Sequence, residues 1–164
     1  MAKVTFRGLD EYKLLLEQYW KATDDGKMLE KAVAAGAGVV ADRIKSNLQA
    51  LPTEKFRALR PGETFRGLSE TQKQDLSNSF GLTPIDRDKN GFLHTKAGFD
   101  GYGSRPTKKY PNGVPNPLLA RSVESGSSVR EKHPFVRPAV DATRRQAVAE
   151  MQKVLDEETK KIMK

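Results

Sequence analysis

Residues 133–139 read HPFVRPA, and they mark the point where a long polar, proline-rich stretch gives way to an amphipathic helix. Pro138 suits a first helical turn, because the N–H it lacks would have no partner inside the helix there anyway. Pro134 stiffens the approach, while Phe135 and Val136 form an apolar pair placed to pack back on the opening turns. The helix is expected over about 138–163. Its buried side carries Val140, Ala147, Met151, Val154 or Leu155, and Ile162, and its other side mixes acids and bases. The unit at 133–139 reads as an anchor that fixes this helix to the rest of the domain.

Working upstream, 118–124 (LLARSVE) is a short apolar segment, helix or strand, closed by Ser125-Gly126-Ser127-Ser128. Before it, 101–117 holds three glycines and four prolines in 17 residues, so it cannot form a long regular element. It is either a functional arm or an excursion. Two strands are expected at 81–85 and 91–99. They are joined by a turn at Asp88-Lys89-Asn90-Gly91, where Asn-Gly supplies the positive φ angles of a type I′ hairpin. Pro84 places the first strand at an edge or at its start. Ser69 precedes a short helix over 70–79, with Leu76 and Phe80 reaching the core. The stretch 53–67 reads as a loop with a Pro61-Gly62 turn.

A long helix is expected over 27–50, ended by Pro52. Leu29, Val33, Ala37, Val40, Ile44 and Leu48 fall on one stripe, and Lys31, Asp42, Arg43, Lys45 and Gln49 fall outside it. Its middle, AAGAG at 34–38, is small-sided. That permits either a close approach inside the monomer or a contact between subunits. At the start of the chain, 3–7 (KVTFR) suits a short strand. A first helix over 11–23 carries Tyr12, Leu15, Leu16, Tyr19 and Trp20 at spacings of three and four, with Asp10 as its cap. The whole, residues 1–164, reads as one α+β domain: a small antiparallel sheet of three or four strands packed against two long helices, with extended loops.

Charge and composition limit what such a domain does. The chain has no cysteine, which removes disulfides and thiolate metal sites. No apolar run approaches the roughly 18 residues of a membrane span, and the opening MAKVTFRGL lacks the apolar run of a signal peptide, so a soluble protein is expected. Of the net charge of +8, the segment 103–137 carries +5: Arg105, Lys108, Lys109, Arg121, Arg130, Lys132 and Arg137 against Glu124 and Glu131. A basic segment of this kind favours a polyanionic neighbour, or is a solvated loop. Aromatic stacking partners are sparse there, being Tyr102 and Tyr110.

No catalytic constellation is visible. The chain lacks GxxxxGK[ST] and GxGxxG, its serines carry no nucleophile signature, and no carboxylates pair in an apolar setting. Residues 86–91 (DRDKNG) match the opening of an EF-hand loop, yet the twelfth position, where a bidentate Glu belongs, is Ala97. His94 and His133 stand alone at no ligand spacing. Neither an enzyme nor a cofactor is expected.

The order of elements resembles that of the neck and tail-completion proteins of long-tailed bacteriophages and prophages, a family of tail components at the head–tail junction. The likeness runs from the GLDEYKLLLEQ opening and the alanine-rich helix ending at Ile44-Lys45-Ser46-Asn47, through Leu76-Ser77-Asn78-Ser79 and Ala97-Gly98-Phe99-Asp100 around the hairpin. It ends in its two most specific pieces, LARSVESG at 119–126 and HPFVRPA at 133–139. Glu124, Gly126, Pro134, Phe135, Arg137, Pro138 and Ala139 occupy the positions of the family pattern. The loops at 53–67 and 101–117 look long for it, and Ser125 stands where an aromatic is often found. The resemblance implies a structural virion protein made in the bacterial host cytoplasm and residing in the neck or tail. It implies a ring of six or twelve copies around the DNA channel, between the head connector and stopper proteins and the tail terminator, with nonspecific contact to the DNA. On this reading Arg105, Lys108, Lys109, Arg130 and Lys132 make the polar contacts to partner or polyanion. Glu124, Gly126, Pro134, Phe135, Arg137 and Pro138 form the structural anchor. The alternative is a small basic nucleic-acid-binding protein acting without a virion.

Overall fold

The structure, a computed structural model, describes residues 26–162 together with Glu17 and Lys21, both helical and exposed. The strand expected at 3–7 and, those two positions aside, the helix expected at 11–23 lie outside the described residues. The elements that follow are α1 Lys27–Ala50, α2 Glu70–Ser79, β1 Phe80–Leu82, β2 Asp86–Arg87, β3 Leu93–His94, β4 Ala97–Phe99, α3 Asn116–Ser125 and α4 Val136–Ile162. The class is α+β, as expected. The sheet is smaller: in place of one sheet of three or four strands there are two antiparallel pairs, β1 with β4 and β2 with β3.

Those pairs form one interrupted ribbon. Phe80 faces Phe99 and Leu82 faces Ala97, whereas Asp86 faces His94, so three residues on the outgoing side oppose two on the return. The extra residue falls where Pro84, with no N–H to donate, breaks the ladder. The turn also differs from the type I′ expectation, since none of its residues other than glycine has positive φ. Gly91 alone does, at 82°, and its N–H donates to the Asp88 carbonyl at 2.9 Å. Lys89-Asn90-Gly91 is therefore a three-residue loop ending in a left-handed glycine. Asp88 Oδ1 accepts the N–H groups of Asn90 and Phe92 at 2.8 and 2.9 Å, which ties that oxygen to its own turn.

Helix α1 spans the expected residues, but its buried stripe is Met28, Ala32, Gly36, Ala41, Ile44 and Leu48. Leu29 is exposed, and Val33, Ala37 and Val40 are only half-buried. The shift follows from α4, which runs antiparallel along α1 and closes on its smallest residue. A Cβ on Gly36 would stand 2.5 Å from Met151 Cγ and 3.2 Å from the Ala147 carbonyl. The small middle of α1 thus serves packing inside the monomer. Farther along, Lys31 pairs with Glu158 at 2.8 Å. Helix α4 buries Ala139, Thr143 and Ala147, and Met151 packs against Gly36, so the expected inner face holds at Ala147 and Met151 but not at Val140, which faces outward with Val148 while Ala139 takes its place.

The core gathers at the C-terminal half of α1. Ile44 and Leu48 meet Leu68, Leu76 of α2, Phe80 of the ribbon, Leu119 and Val123 of α3, and Phe135 and Ala139 of α4. Phe80, Phe99 and Phe135 form a chain of tilted and edge-on rings with centroids 5.1 and 5.9 Å apart. The 53–67 stretch is a loop, as expected, tied at its ends by Glu54 N–H to the Leu68 carbonyl at 2.8 Å and Leu68 N–H to the Pro52 carbonyl at 3.0 Å. The ambiguous 118–124 segment is helical, and α3 starts two residues before it at Asn116.

Candidate functional site

The anchor read from HPFVRPA is built around a carboxylate that sequence spacing alone does not place. Any helix leaves its first four N–H groups without intrahelical partners. In α4 these belong to Phe135, Val136, Arg137 and position 138. Glu124, near the end of α3, accepts the first three at 2.7, 2.9 and 3.0 Å. The fourth does not exist, because position 138 is proline. A carboxylate and an imino acid together leave no unpaired donor at this helix start. The helix accordingly begins at Val136, two residues earlier than expected. Burial alone would push the Glu124 carboxyl up, but the three N–H donors and the Arg137 charge outweigh it and hold the group below the usual carboxylate range.

Around this clasp each anchor residue has a definite task. Phe135 is 1% exposed, seated edge-on against Phe99, and its carbonyl accepts from the Asn47 side chain at 3.0 Å. Gly126 turns the chain away from α3 at φ 78°, and a Cβ there would stand 3.2 Å from Lys132 Cβ. His133 N–H donates to the Val123 carbonyl at 2.8 Å, which lays the approach along α3. Pro134 and Pro138 are exposed, so they act through backbone stiffness rather than packing.

Of the five residues expected to contact a polyanion, one is corrected. Arg130 is 7% exposed. Its guanidinium donates to the Gly67 carbonyl and, at 3.2 Å, to Gln72 Oε1, and lies 5.7 Å from the centre of the Phe65 ring. Gln72 is in turn half of the box that caps α2 with Ser69. Beside it Phe65 N–H donates to the Val129 carbonyl and Glu131 N–H to the Phe65 carbonyl, at 3.0 and 2.9 Å. Arg130 therefore stitches the 53–67 loop and α2 to the segment entering α4. A satisfied, buried guanidinium is not a docking charge. Its one sequence signal, a basic residue two positions before an exposed lysine, does not separate the two roles.

Arg105, Lys108, Lys109 and Lys132 are exposed. The first three share one loop, which the structure closes into a lasso. Gly103 N–H donates to the Val114 carbonyl at 2.8 Å and Asn116 N–H to the Gly101 carbonyl at 3.0 Å. Gly113 passes the strand opposite so closely that a Cβ would stand 1.8 Å from the Gly103 oxygen. Asp75 of α2 pins the loop by accepting from the Ser104 N–H, at 2.8 Å, and from its hydroxyl. The 101–115 stretch is thus held at its neck and presents Lys108 and Lys109 at its free end, whereas Arg105 lies next to the pinned Ser104, facing the 53–56 loop and the start of α2, and Lys132 sits apart, beside Gly126 on the segment entering α4.

Among the described residues no three His, Cys, Asp or Glu side chains converge to hold a metal ion, and no helix is long and apolar enough to cross a membrane. His94 Nδ1 and His133 Nε2 are buried without a hydrogen-bond partner. No family model matches the chain, and no curated protein and no solved structure is found to be similar to it.

Proposed function

We propose that this chain is a structural phage neck protein of the tail-completion type, which assembles as a ring around the DNA channel and joins the head connector to the tail. The observation that carries the proposal is the clasp. The two sequence pieces most specific to the resemblance, LARSVESG and HPFVRPA, are nine residues apart at Glu124 and His133 and meet in one hydrogen-bonded unit through the Glu124 carboxylate. That the two parts cooperate in space supports reading them as one folding device of a shared scaffold. The lasso adds a second support: a pinned loop with Lys108 and Lys109 at its free end, and the exposed Arg105 beside its neck, presents charge to an acidic neighbour or to DNA at small further ordering cost.

The test is the mass in solution by light scattering, for the chain alone and mixed with the connector and tail-terminator proteins encoded beside it. Ring-sized complexes that require those partners are the expected result. A monomer that ignores them yet binds DNA tightly, with affinity falling steeply as salt rises, would overturn the proposal in favour of a free nucleic-acid-binding protein.

A further inference from the structure

Between α1, the base of the ribbon, α3 and the start of α4 lies an open cleft of about 340 Å³. Its walls are apolar, formed by Ile44, Phe80, Phe99, Ala120 and Val136, and its mouth carries Arg121 and Arg137, both exposed. Lys45 adds a third cation 6.0 Å from the Phe80 ring. The acid of this region, Glu124, is already committed to the α4 backbone. Apolar walls under a cationic rim fit an aromatic or aliphatic side chain flanked by carboxylates.

The same chain carries such a group at its opposite end. The ribbon leaves the core at Phe80, beside Ile44, and runs back along α1 until Arg87 reaches Gly26. Ile44 and Gly26 are 18 positions apart, or about 27 Å along a helix. At the ribbon's tip Phe92 is 70% exposed, the most exposed large apolar residue described, and the exposed Asp86 and Asp88 stand beside it. Arg87 is folded back on Gly26 and donates to the Gly91 carbonyl at 3.4 Å. A ribbon paired over three residues and then two is marginal in water by itself.

We infer that the ribbon tip of one copy docks in the cleft of the next, with Phe92 entering between Phe80, Phe99 and Val136 and Asp86 and Asp88 facing Arg121 and Arg137. A tip and a cleft at opposite ends of α1 make a head-to-tail contact, which closes into a ring when the rotation between copies permits. The inference rests on the ring assembly proposed above and supplies its contact.

Two variants and their mixture test it by light scattering over a concentration series. Phe92→Ser removes the plug and keeps the cleft. Ala97→Trp, at an exposed position lining the cleft, blocks the cleft and keeps the plug. The expected result is that, as concentration rises, the unmodified chain alone forms open head-to-tail oligomers larger than a dimer but short of the ring that needs the neck partners, each variant alone loses every species above monomer, and their mixture stops at a dimer, because one intact contact remains per pair. Because the chain has no cysteine, Asn90→Cys copies, which keep the Phe92 plug, mixed with Ala97→Cys copies should also form a disulfide between chains. Assemblies unchanged by both variants would overturn the contact while leaving the ring proposal standing. An unmodified chain that stays monomeric and gives no trapped pair at near-millimolar concentration would overturn it as well, and absence of a ring with the neck partners would then remove the parent proposal separately. Trapping of the position-97 cysteine by a Trp20→Cys change within its own chain, in place of position 90, would give the cleft to the N-terminal segment.

Discussion

At the scale of single residues, Glu124 and Arg130 both bring charge into the fold, and each is defined by what it satisfies. Glu124→Ala strips acceptors from three backbone donors and should cost about 2–3 kcal/mol in a urea titration at neutral pH. Glu124→Gln, which keeps one acceptor, should cost less, about 1 kcal/mol. The sign of the acid response follows from the lowered carboxyl. Its stabilisation is complete above the ordinary value of 4.5 and is lost as pH falls through the lower folded value. The gap between the parent and Glu124→Gln should therefore shrink below about pH 4.5. A gap that stayed constant would mean that the carboxylate charge contributes nothing. Arg130→Ala removes the side-chain donor to the Gly67 carbonyl in a buried seam and leaves Gln72 Oε1 with the Ser69 N–H alone, and about 2 kcal/mol or more should be lost. Lys108→Ala and Lys109→Ala should stay within about 0.5 kcal/mol of the parent and change only salt-sensitive binding. Equal loss in both classes would refute the division between stitch and surface charge.

At the scale of elements, the helices were legible in the sequence because their punctuation is local. Pro52 stops α1, Ser69 caps α2, and the 3.6-residue rhythm names the helices between. Which face they bury was less legible. Counting large apolar residues put Leu29 and Val140 inside, whereas α1 and α4 meet along Gly36, Thr143 and Ala147, where backbones approach most closely. Small residues raise no hydrophobic signal, so periodicity weighted by size misses such a seam. The ribbon shows the same limit, because Pro84 reads in sequence as an edge or start of the first strand, whereas in the fold it divides that strand in two. The seam makes a paired prediction. Gly36→Val drives a branched side chain into Met151 and the Ala147 backbone and should destabilise by about 1–3 kcal/mol. Gly38→Ala, with nothing within 4 Å of the added carbon, should stabilise α1 by about 0.5–1 kcal/mol. Thermal melts of the two, read together, separate helix propensity from interhelix spacing.

At the scale of the whole molecule, the described chain has a packed end, where four helices and the ribbon share Phe135, Ile44 and Leu48, and a leaner end, where α1 and α4 continue as a pair. The anchor was legible because Glu124, Gly126 and the proline pair leave marks in sequence. The lasso's closure was not, because its neck depends on Gly103 and Gly113 meeting across nine intervening residues and on Asp75 from another helix. That closure separates stability from assembly. Gly113 holds φ 95° and has no room for a Cβ, so Gly113→Ala cannot keep the neck. The fully buried core residues lie outside the lasso, from which only the half-buried Val114 packs against them, and the body should therefore survive with a loss of about 1 kcal/mol, or roughly 2–4 °C in Tm. Trypsin cleavage after Lys108 and Lys109 should accelerate about tenfold, as an opening equilibrium shifted by about 1.4 kcal/mol requires. Partner binding should weaken with it, because an unpinned loop has to be ordered at the moment of contact. Phe135→Ala should do the reverse, costing about 3–5 kcal/mol of global stability while the lasso's neck bonds remain. A Gly113→Ala protein that melts like Phe135→Ala would show that the lasso belongs to the folding core, and the cations at its tip would lose their standing as a separately presented contact surface.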